Sequence, residues 1–269
     1  MYSGTTVGKR SGNFVGVHQR IDRIARQQLG ALLSDTQTFP AAKDILHFEG
    51  NNGPDGVKRK SPSVDEPWHY IDPKKPLDAS LVDMIHDHRI NLSKALKQNN
   101  QQRAAFEAAW LSHAVVDGLT PAHHFPLADK IEELFGMAHH ERLTVRQKNI
   151  IKGAGRRDTF SKNWEYWGGG GIFTSHFLFE FGVSATMVGR RYDTTITNDD
   201  LVDLQLRGYE TLFKEAIEKV VAMNLYDIFR AQGWNWRVAR TVHGKLVPLL
   251  IKMVVLGWYA AAQQKEGQR

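Results

Sequence analysis

Leu111-Ser112-His113-Ala114-Val115-Val116-Asp117-Gly118-Leu119-Thr120-Pro121-Ala122-His123 is the stretch on which the reading of this chain turns. A helix running into Gly118 stacks positions i and i+4 on one face, so His113 and Asp117 point at the same spot. Gly118 and Pro121 then break the helix and let the chain fold His123 back toward it. Neutral imidazoles and a carboxylate converging this way are ligands for a zinc-like cation. The bland alternative is a buried histidine that hydrogen-bonds a carboxylate one turn away, with no metal.

On either side of this segment, apolar residues recur at helical spacing. Val17, Ile21, Ile24, Leu29, Leu32 and Leu33 give one amphipathic helix; Leu81, Ile85, Leu92 and Leu96 give another. Further helices are expected from Pro40 to about Phe48, over 103–116, 127–137, 143–151 and 172–188, over 199–229 with a break near Asn224, and over 236–263. Residues 50–76 and 152–171 read as loops, the second basic, aromatic and glycine-rich. Hairpin signals and internal repeats are missing. The expected fold is therefore one all-α domain over residues 17–263, with a flexible polar lead at 1–16 and a polar tail at 264–269.

Composition narrows the chemistry. Hydrophobic residues make up 42% of 269, enough for a sizeable core. There is no cysteine, so disulfides and thiolate metal sites are excluded and any zinc must be held by nitrogen and oxygen. The net charge of +6 and a pI near 9.4 favour anionic partners: phosphate esters, acidic lipid surfaces or nucleic acid. The lead has no apolar core of a secretory signal, which points to a cytoplasmic protein. The apolar run 246–262 is interrupted by Pro248 and Lys252 and reads as a buried terminal helix rather than an interfacial or spanning one.

Other residues repeat the opening pattern. His176 and Glu180 stand at i and i+4 in apolar surroundings, where an ionised Glu needs a partner. Asp55 sits in the turn-rich Asn51-Asn52-Gly53-Pro54-Asp55-Gly56, and His69 lies between Trp68 and Tyr70. His18 lies in the first turn of the first helix, where the dipole gives a cation no advantage. His86 and His88 are two apart and read as surface residues. His139 and His140 are reserve ligands, His124 is a neighbour or exposed, and His47 and His243 show no partner. Gly168–Gly171 lacks the Lys-Ser/Thr of a phosphate loop and reads as a hinge.

Taken together, the chain resembles the zinc-dependent phospholipase C and P1/S1 nuclease superfamily, closer to the bacterial phospholipase C-like proteins. His113, Asp117, Pro121 and His123 match its His-x3-Asp-x5-His signature with Pro two before the last His. His176 and Glu180 match its later His-x3-Glu/Asp pair, Trp68-His69-Tyr70 its ligand loop, Pro54-Asp55 its early aspartate and His18 its first-helix histidine. The resemblance implies one zinc on Asp55, His69, His113 and Asp117 and a second on His123, His176 and Glu180. Asp117 would bridge to a third near His18. Secreted members complete that third site with the amino group and carbonyl of an N-terminal tryptophan, and would make this chain a secreted one. Here the sequence starts Met1-Tyr2, some distance before His18, with no Trp before Trp68, so two or three zinc ions are expected. Residues 125–171 look like an insertion that shapes the substrate cleft.

The resemblance further implies hydrolysis of a phosphate ester. A zinc-bound water falls in pKa from about 15.7 to about 7, and Asp55 is a candidate general base. Phospholipid cleavage, with peripheral membrane contact, leads; single-stranded nucleic acid is the alternative substrate, and a non-catalytic zinc-stabilised helical protein the rival class. Tyr70, Phe125, Trp164, Tyr166 and Trp167 could meet a lipid or its headgroup. Lys58, Arg59, Lys60, Arg156 and Arg157 could draw in an anion, or form a solvated surface.

Overall fold

The computed structural model describes residues 1–4, 16–34, 37–60, 70–74, 80–124, 127–137, 141–142, 144–192 and 194–263. The described residues form helices and turns without strands, as the helical periodicity requires. In chain order the helices are α1 (Val17–Leu32), α2 (Ala42–His47), α3 (Pro54–Lys60), α4 (Ser80–Lys97), α5 (Gln101–Gly118), α6 (Leu127–Phe135), α7 (Val145–Asn149), α8 (Arg156–Trp167), α9 (Ile172–Met187), α10 (Asn198–Arg207), α11 (Tyr209–Ala222), α12 (Leu225–Gln232) and α13 (Trp236–Gln263). Short 3₁₀ turns cover Gly50–Asn52 and Pro121–His123.

The core forms where α13 lies across α1, α4 and α5. Leu250, Ile251, Val254, Val255 and Trp258 of α13 are buried there. The Trp258 indole donates to the Ala108 carbonyl at 2.9 Å, and the Tyr209 hydroxyl to the Met253 carbonyl at 3.0 Å. Such polar anchors fix one docking of apolar surfaces that hydrophobic contact alone leaves degenerate. The α13 helix is long and apolar enough to cross a membrane by composition, but its apolar face is spent on this core. Its regular turns give way to a π turn at Val242–Leu246.

Four parts of the helix pattern depart from the sequence reading. The expected loop at 50–76 contains α3, whose first turn carries Asp55. The loop at 152–171 contains α8, and only its glycine end is a turn. The span 199–229 breaks not only at Asn224 (φ 46°) but also at Gly208 (φ 76°), a left-handed position that glycine occupies without strain. The α9 helix, expected to be buried, exposes Phe173, Leu178 and Phe181.

Gly118 also has a different role from the one its sequence suggests. The α5 helix runs through it and caps on Leu119. A Cβ at Gly118 would lie 2.7 Å from Leu81 Cδ2 and 2.8 Å from Phe213 Cζ. The glycine is there for close packing, and the turn comes from Thr120 and Pro121. The Thr120 hydroxyl donates to the Val116 carbonyl at 2.7 Å, and the His123 amide to the Thr120 carbonyl at 2.8 Å.

The ends of the domain differ as well. Residues 1–4 were expected in a flexible lead, yet Met1, Tyr2 and Ser3 are buried. The Val17 amide donates to the Tyr2 carbonyl at 2.7 Å, and Tyr2 packs edge-on against Phe177 and Phe181. Residues 5–15 and the tail at 264–269 lie outside the described residues. Within the segment 125–171, Leu134, Phe135, Ile151 and Tyr166 form a small second core with Ile172.

Candidate metal centre

Two groups of donors meet beside α5. The first is built on Asp117, which the α5 helix presents one turn after His113. Asp117 Oδ2 lies 3.3 Å from His113 Nε2. Its Oδ1 lies 2.6 Å from the Met1 amino group, 3.3 Å from His18 Nε2 and 3.6 Å from His123 Nδ1. The His18 and His113 rings stack at 3.9 Å, almost parallel. His18 Nε2 also meets the Met1 carbonyl at 2.9 Å, leaving its Nδ1 buried without a hydrogen-bond partner.

The second group is the triangle of His123 Nε2, His176 Nε2 and Glu180 Oε1. Its sides are 3.1 Å between the histidines, 3.0 Å from His123 to Glu180 and 2.9 Å from His176 to Glu180. Two imidazole nitrogens facing each other cannot both carry protons. Three donors about 3.0 Å apart subtend roughly 90–100° at a centre 2.0–2.1 Å from each, within reach of a zinc-like ion. The Met1 amine, 3.1 Å from Glu180 Oε1, joins the two groups.

Asp55 stands at the edge of the first group. Its Oδ1 is 3.8 Å from His113 Nε2, and its side chain is 29% exposed against 2% for His113. A tight turn sets it there: a Cβ on Gly56 would collide with the Asn51 carbonyl, and one on Gly53 with that of Phe48. His69 lies outside the described residues. The chain just beyond it is tied to the centre, since the Ile71 amide donates to the His123 carbonyl at 3.2 Å and the Tyr70 ring lies 5.4 Å from that of His123. Phe125, His139 and His140 also lie outside the described residues, as do the side chains of Lys58, Arg59 and Lys60.

The sequence reading missed two buried carboxylates behind the first group. Glu49 Oε2 lies 3.3 Å from His113 Nδ1, so His113 is held between Glu49 on one nitrogen and Asp117 on the other. A carboxylate on the far nitrogen fixes the tautomer of a metal-binding histidine. Deeper still, Asp22 accepts a short hydrogen bond from the Ser112 hydroxyl. The signal for Asp22 was present: His18-x3-Asp22 is another i, i+4 His-acid pair. Glu49 carried no such signal, because it reaches His113 across 64 residues.

The backbone of Met1 also comes to the first group. The Met1 amine and carbonyl stand beside Asp117 and His18, the neighbours that the resemblance assigns to the tryptophan's amine and carbonyl. The side chain of residue 1 is not what these contacts use. The fold of 1–4 back onto α1 brings Met1 beside His18 despite their separation in sequence.

Charge is unevenly matched here. Burial opposes the Met1 ammonium, but Asp117 and then Glu180 outweigh it and push the amine from 8.0 up to about 10. Burial also works against ionised Asp117 and Glu180, yet the neighbouring amine and imidazoles hold both well below the carboxylate range. Burial would deprotonate His113, but Asp117 and Glu49 drive it upward. Burial takes His123 down to about 3 despite Asp117, leaving it neutral and able to ligate. Asp22 is pushed up, by burial and then by Glu49. An ammonium and an imidazolium thus share a pocket with several carboxylates, which a divalent ion would neutralise more fully.

Four other histidines among the described residues have polar partners that the spacing does not show, although His86 is exposed as expected. His88 pairs with buried Glu107 at 2.6 Å, His86 with Glu210 at 2.9 Å, and His243 with the Tyr192 hydroxyl at 2.5 Å. His124 donates to the Gly118 carbonyl at 2.5 Å and braces the turn. Of the proposed substrate-facing aromatics, Tyr166 is buried against Phe135, whereas Trp164 and Trp167 are exposed. Among the described residues, the two groups on Asp117 and Glu180 are the ones with three or more donors close enough to share an ion. Compared with family models, curated proteins and solved structures, the chain matches none.

Proposed function

We propose that this protein is a zinc-dependent hydrolase of phosphate esters, acting on phospholipids in the manner of the phospholipase C-like proteins it resembles. The observation that carries the reading is the triangle of His123, His176 and Glu180 placed beside His18, His113 and Asp117, with nitrogen and oxygen donors only. His123, His176 and Glu180 would hold one ion. His113, Asp117 and Asp55 would hold another, with His69 expected to join them. His18, Asp117 and the Met1 backbone would offer a third place. Bound divalent ions acidify water and polarise phosphoryl oxygens.

The chain's own residues supply the rest. Asp117 ties the groups into one unit through both its oxygens. Asp55, the most exposed carboxylate of the set, has the solvent access a proton acceptor needs. Tyr70 is held as a neutral phenol by burial, then by Tyr166 and the nearby carboxylates, which push its pKa upward. Its ring lies 5.4 Å from that of His123 and 6.5 Å from that of His176, so a neutral phenol would border the substrate at that group.

The test compares zinc-loaded protein on a phosphatidylcholine analogue and on single-stranded DNA, with Asp55→Asn alongside. Release of diacylglycerol that falls about 100-fold or more in the variant is the expected result. DNA cleavage alone would move the substrate class. Bound zinc with neither activity would leave a structural role and end the hydrolase reading.

A further inference from the structure

We infer that the outer face of α8 is a docking surface for an anionic lipid bilayer. The helix has two faces. Thr159, Asn163 and Tyr166 point inward: Thr159 takes the Gly153 amide, Asn163 bridges both backbone groups of Ile151, and Tyr166 enters the small second core. Phe160, Trp164 and Trp167, at i, i+4 and i+7, form a stripe on the other side. Phe160 is 70% exposed and Trp164 65%, and their rings stack at 6.2 Å. Trp167 continues the stripe onto Phe173 at 4.7 Å, with Ile150 also exposed alongside.

Such an apolar row on the water side is costly in solution and needs a covering. Charge says what kind. Arg156 and Arg157, both exposed, head the same stripe one turn before Phe160, and exposed Lys152 precedes them. Aromatics flanked by arginines match an interface in which rings sit at headgroup depth and cations meet acidic headgroups. The stripe also leads to the metal centre. Phe173 opens α9, and His176 follows it by three positions on the same helix. A bilayer held on α8 would therefore lie beside the site, whatever reaction occurs there.

The experiment is flotation of the zinc-loaded protein with vesicles of phosphatidylcholine containing 30% phosphatidylserine, and with phosphatidylcholine alone. Tryptophan emission is read in parallel. Preferential binding to the acidic vesicles with a blue shift is expected. Phe160→Ser and Trp164→Ser should each weaken it about 10-fold, and Arg156→Ser and Arg157→Ser about 5-fold each. Trp236→Ser, at an equally exposed ring on α13, should change nothing. Hydrolysis of a short-chain soluble phosphodiester should be the same in Phe160→Ser and Trp236→Ser as in the parent, which separates docking from the catalytic reading. No preference for acidic vesicles, or equal loss in Trp236→Ser, overturns the inference. So does a stripe that serves only to bind single-stranded DNA or to pair two copies of the chain, seen as loss of DNA binding or of a dimer in Phe160→Ser without vesicle binding.

Discussion

Replacing Asp117 by asparagine changes no volume and removes one charge, so it isolates the electrostatic role of the carboxylate. Without metal, the substitution leaves the Met1 ammonium, 2.6 Å away, with Glu180 alone, and takes one of two partners from the His113 cation. Breaking a buried pair from one side costs about 3–5 kcal/mol. Unfolding entropy near 2.1 cal/mol/K per residue gives about 0.56 kcal/mol/K for 269 residues. The metal-free variant should therefore melt about 5–9 °C below the parent protein. Zinc at about 100 times its dissociation constant stabilises by about 2.7 kcal/mol per ion, a rise of about 5 °C. The parent should gain that for each ion bound, and Asp117→Asn should keep only the share belonging to His123, His176 and Glu180. Differential scanning calorimetry with and without zinc reads both quantities. Equal zinc shifts in the two proteins would remove Asp117 from the metal centre. A metal-free difference under about 1 °C would refute the charge network itself.

Three further perturbations test separate links. Glu49→Gln should lower zinc affinity by about 10–100-fold, measured by competition with a chromophoric chelator, because His113 loses the carboxylate that fixes its ring. Gly118→Ala should cost about 1–3 kcal/mol in urea unfolding, because the new methyl group meets Leu81 and Phe213; a neutral result would restore the helix-breaking role. Burial, then Arg190, lowers His243 from 6.5 to about 4, so the folded state binds this proton less readily than the unfolded chain. Its contribution is therefore full above pH 6.5 and lost as pH falls toward 4. His243 is only half-buried, so screening leaves about 1 kcal/mol or less. Urea midpoints between pH 4 and 7 should fall less steeply in His243→Gln.

What could be read from the sequence is what is local. The i, i+4 rule paired His113 with Asp117 and His176 with Glu180, because a helix brings those residues together whatever surrounds it. Helical period also drew α1, α4, α5 and α9 nearly to their ends. The rule failed at α8 for an instructive reason: Phe160, Trp164 and Trp167 do keep helical spacing, but their stripe faces out. In a segment framed by glycines and arginines, an apolar stripe facing out reads as an irregular aromatic loop. At Gly118 composition was misleading. A glycine before a proline suggests a stop, and only Leu81 and Phe213, from two other helices, reveal that the space was needed.

The centre itself depends on contacts that no spacing encodes. Glu49 reaches His113, and Met1 reaches Asp117 across 116 residues. That second contact changes the meaning of the site. Asp117 Oδ1 and Glu180 Oε1 are close enough to share one ammonium, so the same two oxygens that could hold an ion already hold a cation made of the chain's own first residue. An amine raised to about 10 keeps its proton at neutral pH, and a protonated amine has no lone pair to give a metal. The triangle of His123, His176 and Glu180 meets the same competitor through Glu180 Oε1, 3.1 Å from the amine, although His123 is already neutral there. The two groups are thus coupled through one ammonium, and an ion entering on either side of Asp117 must displace a cation that Asp117 and Glu180 share.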